Sequence, residues 1–178
     1  MIEFRTAEPA DAKAIADLHA DSWQRHYRGA FTDTFLDEEA HPYLTKTWTE
    51  RLQAPSPTTI LAEQGGELIG LAHTILDASP TWGALLDNLH VRFGLKRQGL
   101  GTRLMARTAE AIPNTGLHLY VLAQNTSAQA FYTARGGTII ETTDVPAPGG
   151  NPAWLNGRPQ CLLYTWPNPA LNLAEATE

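Results

Sequence analysis

Cysteine is all but missing from this chain: Cys161 stands alone in 178 residues. A lone thiol cannot close a disulfide within the chain, and a zinc site built on paired cysteines is excluded. It sits in "RPQCLLYTW", an apolar run that reads as a strand, so an inert buried thiol is expected rather than a nucleophile. Long apolar runs are missing too. No stretch approaches the roughly 18 residues of a membrane span, and "MIEFRTAEPADAK" carries no apolar segment of signal-peptide length. A soluble, cytoplasmic chain with no membrane partner is expected. Positive charge is scarce, 13 Lys and Arg against 19 Asp and Glu, for a net charge of −6. That balance argues against non-specific nucleic-acid binding, which needs a basic face. It is compatible with a cationic small substrate, although an acidic surface is also the default for a soluble protein. Internal repeats, low-complexity blocks and linkers are absent, so one domain over residues 1–167 is expected, with a frayed tail over 168–178.

What is present reads as alternating strands and helices. "IEFRTA" alternates apolar and polar residues and predicts a strand. In "EPADAKAIADLHADSWQRHY", Pro9 suits a first helical turn, and Ile15, Leu18 and Ser22 recur at helical spacing. "TDTFLDEEAHPYLTKTWTERL" predicts a second helical region interrupted near Pro42, with Phe35, Leu36, Trp48 and Leu52 as anchors. "TTILAEQGGELIGLAHTIL" predicts a hairpin turning at Gly65-Gly66, and "ALLDNLHV" a central strand. Residues 102–112 predict a helix, "LHLYVL" a strand, and "NTSAQAFYTARGG" a helix capped by Asn125 or Thr126, with Gln129 three after Thr126 and Gly136 at its stop. "TIIETT" and "CLLYTW" predict two last strands around a Pro/Gly-rich loop over 145–159. The order β-α-α-β-β-β-α-β-α-β-β predicts an α/β (mixed α+β) fold with helices packed on one mixed sheet.

The chain's clearest local signal is "VRFGLKRQGLGTRLM". Five of the 13 Lys and Arg fall between Arg92 and Arg107, and no acidic residue stands between Asn88 and Ala109. This loop joins a strand to a helix N-terminus, where free backbone N–H groups and the helix dipole favour an anion. Gly99 and Gly101 would let a phosphate approach the backbone. A dinucleotide fingerprint fails, because Leu104 stands where a third glycine is needed. A Walker loop fails for want of any G-K-[ST]. A plain turn with solvated basic residues remains the alternative for this loop alone.

Two linked motifs narrow the choice. "LDNLHVRFGLKRQGLGTRLM", followed one strand later by "LHLYVLAQNTSAQAFYTARGG", resembles the GCN5-related N-acetyltransferases. In that family a [QR]-x-x-G-x-[GA] loop binds the pyrophosphate of acetyl-coenzyme A, and an N-x-x-A-x-x-[FY]-Y-x-x-x-G-[FG] motif follows. Here the second motif is Asn125, Ala128, Phe131, Tyr132, Gly136 and Gly137. Lys96 stands where Arg or Gln is commonest and Phe93 where proline is frequent. Neither change touches phosphate binding by backbone amides. The resemblance, which spans Ile2 to Trp166, implies a central, mostly antiparallel seven-stranded sheet with a splayed parallel strand pair, flanked by about four helices. It implies acetyl-CoA as co-substrate, no metal, and transfer of acetyl to a primary amine of a small molecule, peptide or protein in a ternary complex. A non-catalytic acyl-CoA-binding or sensing domain is the alternative, and a homodimer is compatible with the family.

Site residues follow from the same resemblance. Lys96, Arg97, Gln98, Gly99, Leu100, Gly101 and Thr102 would cradle the pyrophosphate. Leu89, His90 and Val91 would pair with the pantetheine arm through backbone, a backbone N–H there facing the thioester carbonyl, and Asn125 would bond the pantetheine amides. Tyr132 would protonate the departing thiolate, a phenol of ordinary pKa about 10 being a sensible donor; core packing is its alternative. For the general base, His90 is the catalytic candidate, with Asp87 and His73 beside it; many family members work through ordered water instead. Asp87 and His90, three apart on a strand, are expected on opposite faces. Trp23 and Tyr27, with Phe31 and Asp87, would wall the acceptor side. The loop over 145–159 would serve as a lid.

Overall fold

The computed structural model describes residues 1–53, 56–95, 98–112, 115–169 and 173, the side chains of Ser56 and Pro57 excepted. Seven strands run β1 Ile2–Ala7, β2 Ser56–Gln64, β3 Glu67–Ser79, β4 Gly83–Val91, β5 Leu117–Leu122, β6 Thr138–Asp144 and β7 Gln160–Trp166. They form one sheet in the order β1-β2-β3-β4-β5-β7-β6. Every neighbouring pair is antiparallel except β4 and β5. The hairpin turns at Gly65 and Gly66, both with positive φ (61° and 80°), the two-residue turn whose twist matches its strands.

Four helices cover the sheet: α1 Ala12–His26, α2 Ala40–Arg51, α3 Leu100–Ala111 and α4 Thr126–Ala134. On one face, Ile15, Ala16 and Leu18 of α1 and Leu44 and Trp48 of α2 pack against Leu61 and Leu71. On the other, Leu104, Met105 and Ile112 at α3 and Tyr132 of α4 pack against Ala72, Leu86, Leu119 and Trp166. Leu173 is buried in that second core. Among the described residues, no helix is long and apolar enough to cross a membrane.

Two local expectations are corrected, and of the two residues expected to cap α4 one does. The second helical region is not interrupted at Pro42. Pro42 lies in the first turn of α2, which runs on from the π-helical turn Phe35–Glu39 without a break; lacking an N–H, Pro42 leaves a carbonyl of that preceding turn without its helical donor. Asn125 rather than Thr126 caps α4, its Oδ1 accepting from the Ala128 N–H at 3.2 Å. Gln129 completes no capping box; its amide donates to the carbonyls of Leu122 and Ala123, tying α4 to the end of β5.

Two departures from regular pairing shape the cleft. β4 and β5 pair only at Ala84↔Leu117 and Leu85↔His118, then splay apart. Between β3 and β4 the register passes from His73↔Asn88 to Thr74↔Leu86, so Asp87 is an extra, unpaired residue. This bulge reverses side-chain parity. Ala84 and Leu86 before it, and Leu89 and Val91 after it, all face the α3 core.

Candidate active site

The splayed strands open into a cleft of about 1050 Å³ that runs from the start of α3 to the aromatic residues of α1 and α2. Gln98 precedes the helix and is exposed; Lys96 and Arg97 lie outside the described residues. Gly99 is the N-cap of α3, with φ 76°, and no side chain caps the helix. The first intrahelical bond is from the Arg103 N–H to the Gly99 carbonyl. The N–H groups of Leu100, Gly101 and Thr102 therefore have no helical acceptor, and no acidic residue stands in the first turn. Such an end suits an anion of diphosphate size. Gly101 has a second reason to be glycine: a Cβ there would lie 3.2 Å from the Phe131 ring.

Tyr132 lines the same cleft, buried at 9 % exposure. Burial pushes its phenol above the ordinary range, with a smaller contribution from the phenol of Tyr27 across the cleft. Tyr27 itself is pushed up to about 12, mainly by burial and then by Asp87. Both phenols are protonated at neutral pH. Cys161 is buried, and burial raises its thiol pKa.

The bulge brings Asp87 and His90 to one face, against the expectation from plain strand alternation. Asp87 pairs with Arg51 at the end of α2 at 3.0 Å, while the His90 ring lies 4.3 Å from His19 of α1. A polar chain joins them. His90 Nδ1 meets Ser22 Oγ at 2.9 Å and its Nε2 meets Asn88 Oδ1 at 3.4 Å. The Asn88 amide then donates to Asp87 Oδ2 at 2.7 Å. Ser22, Asn88 and Arg51 were not foreseen, because only the bulge and the docking of α1 and α2 bring them to this face.

His73 is withdrawn as a base. It is not part of the cleft wall; it lies under Trp48 at 5.3 Å and meets Thr59 Oγ1 at 2.7 Å. Burial first, then the charge of Arg51, lowers its pKa to about 4. His19 accepts from the Trp48 indole at 3.1 Å, and burial holds its pKa well below the ordinary value. Both are neutral in the folded protein, whereas the unfolded chain protonates them below about pH 6.5. Stability is therefore full above about 6.5 and falls as pH drops, the His73 share vanishing over the window down to about 4. That share is about 3 kcal/mol. Urea midpoints should drop between pH 7.5 and 4.5, and His73→Asn should flatten the drop. An equal slope in the variant would mean that His73 is not held neutral.

At the α1 end of the cleft Trp23 contacts Tyr27 at 5.6 Å, Phe31 at 5.2 Å and Tyr43 at 6.3 Å between ring centroids. The loop over 145–159 is a pinned wall rather than a free lid. Trp154 stacks on Phe35 at 4.4 Å. The Thr32 N–H donates to the Trp154 carbonyl, and the Asn156 N–H to that of Ala30.

The acetyltransferase (GNAT) family pattern matches residues 15–136. A probable N-acetyltransferase of Mycobacterium tuberculosis is 26 % identical over 133 residues, covering 74 % of this chain and 76 % of that one. Among solved structures, the PaiA N-acetyltransferase of Thermoplasma acidophilum in complex with coenzyme A has a TM-score of 0.70 at 16 % identity, over 93 % of this chain and 99 % of that one. YncA of Salmonella typhimurium, solved with its cofactor acetyl-CoA, has a TM-score of 0.64 at 16 % identity, over 94 % of both chains. At such identities the structural likeness speaks to fold.

Proposed function

The chain belongs to the acetyltransferase (GNAT) family, and from that premise we propose that it moves the acetyl group of acetyl-CoA directly onto a primary amine, both substrates bound at once. The observation that carries this reading is the splay of β4 from β5 beyond Leu85 and His118, with an uncapped helix start at one end and Tyr132 lining the same cleft. Structural relatives solved with coenzyme A or acetyl-CoA support the choice of donor.

In this reading the amides of Leu100, Gly101 and Thr102 hold the diphosphate. Backbone groups of residues 89–91, which have no β5 partner, hold the pantetheine arm and face the thioester carbonyl, where a fixed N–H stabilises developing oxyanion charge. Asn125, whose side chain caps α4, stands at the mouth beside that arm. The amine nitrogen forms a bond to the acetyl carbon while the carbon–sulfur bond breaks. The nitrogen loses a proton to His90 or to water held by it, and the thiolate takes one from Tyr132. Trp23, Tyr27 and Asp87 face the acceptor.

The test is thiol release from acetyl-CoA on a panel of amines, with acetyl-CoA binding measured in parallel. Release with at least one amine is expected. Binding without release on every amine would instead identify a sensor that keeps the fold and has lost turnover.

A further inference from the structure

The acceptor half of the cleft carries the Arg51–Asp87 ion pair set against a wall of rings, and its layout narrows the acceptor. Tyr43, Thr47 and Arg51 recur at four-residue spacing on α2 and all line the cleft, a stripe of about 12 Å along the helix. Arg51 closes one end, its guanidinium 5.1 Å from the Trp48 ring. Its Nη2 meets Asp87 Oδ2 at 3.0 Å, and both side chains stay about one-third exposed (32 % and 29 %). The exposed part of the guanidinium lines the cleft. On the carboxylate, the Asn88 amide and Arg51 both reach Oδ2, which leaves Oδ1 open among the described residues.

The site thus offers one cationic fork and one anionic oxygen side by side, with rings beyond them. Resting on the acetyl-transfer reading above, we propose that the acceptor is a free α-amino acid with an aromatic or large apolar side chain. Its carboxylate docks on the exposed part of the Arg51 guanidinium, its amine lies at Asp87 facing the thioester, and its side chain runs along Thr47 against Trp23 and Tyr43. A guanidinium can hold one carboxylate on each edge, and bidentate geometry makes that contact strong. Charge balance favours the same class. Arg51 and Asp87 cancel, so a zwitterion adds no net charge, whereas a polyamine would leave a cation beside Arg51. A simple amine or a peptide N-terminus would desolvate the exposed guanidinium of Arg51 without supplying an acceptor for it.

The experiment compares L-phenylalanine, L-phenylalaninamide and phenethylamine, which share the ring and the amine and differ in the carboxylate. With acetyl-CoA, kcat/KM for phenylalanine should exceed the other two at least tenfold. In Arg51→Gln that ratio should fall to near one, and Arg51→Lys should recover part of it. Because the ratio is taken within one preparation, partial misfolding of a variant cancels. A wild-type ratio near one, or a ratio unchanged in Arg51→Gln, overturns the assignment. The proposed activity fails separately, as no thiol release from any amine. Calorimetric titration of phenylalanine into the coenzyme A complex then decides: binding that Arg51→Gln abolishes sustains the amino-acid site, and no binding overturns it.

Discussion

Replacing Tyr132 with phenylalanine lowers kcat by about a hundredfold and leaves the KM for acetyl-CoA within a small factor. The lower end of what a positioned proton donor contributes is about 100-fold. A residue acting only in the transition state lowers kcat without weakening ground-state binding. The ring itself is core, packed on Phe131, Tyr164 and Trp166 at centroid distances of 5.3 to 6.1 Å. Phenylalanine keeps all of that. The hydroxyl makes no hydrogen bond to any described residue's side chain, and burial keeps it protonated, so the substitution removes a proton donor from the cleft and little else. Stopped-flow thiol release with saturating amine measures the effect. An unchanged kcat would reduce Tyr132 to a core aromatic.

Gly101→Asp should cost at least a hundredfold in acetyl-CoA affinity, about 2.7 kcal/mol. The new carboxylate would sit in the first turn of α3, where it can accept the N–H groups left free there and repel a diphosphate at close range. Its Cβ would also press on Phe131 at 3.2 Å. Gly101→Ala separates the two causes, since it adds the same Cβ without charge. Titration calorimetry with coenzyme A should show the alanine variant binding far better than the aspartate variant. Acid near a helix start favours the fold, so thermal unfolding of Gly101→Asp should stay near that of Gly101→Ala. Equal affinity in both would move the diphosphate elsewhere.

Much of the fold was legible because its cues are local. The Gly65-Gly66 turn, Gly136 after α4 with φ 81° and the strand-length apolar runs each act within a few residues. The start of α3 after Gly99 was legible for the same reason: a helix start is written in the residues around it. The end of the cleft at α1 and α2 was not. That Asp87 shares a face with His90 depends on one unpaired residue between strands, and local alternation predicts the opposite. Arg51 enters the cleft only through the docking of α2, twelve residues that follow directly on a π-helical turn. The loop over 145–159 reads as a lid from length alone; its fixity comes from bonds to residues more than a hundred positions away.

The divergence of β4 from β5 has a cost of its own. A sheet ordinarily has two edges, and this one has four: β1 and β6 outside, and the inner margins of β4 and β5 beyond Leu85 and His118. Unpaired margins invite any extended chain to add itself. Here they are sunk between two cores, so a bulky polypeptide is turned away while a thin amide-bearing arm could fit as a substitute strand. The sheet is left unfinished at the one place where a small molecule, rather than another protein, can complete it.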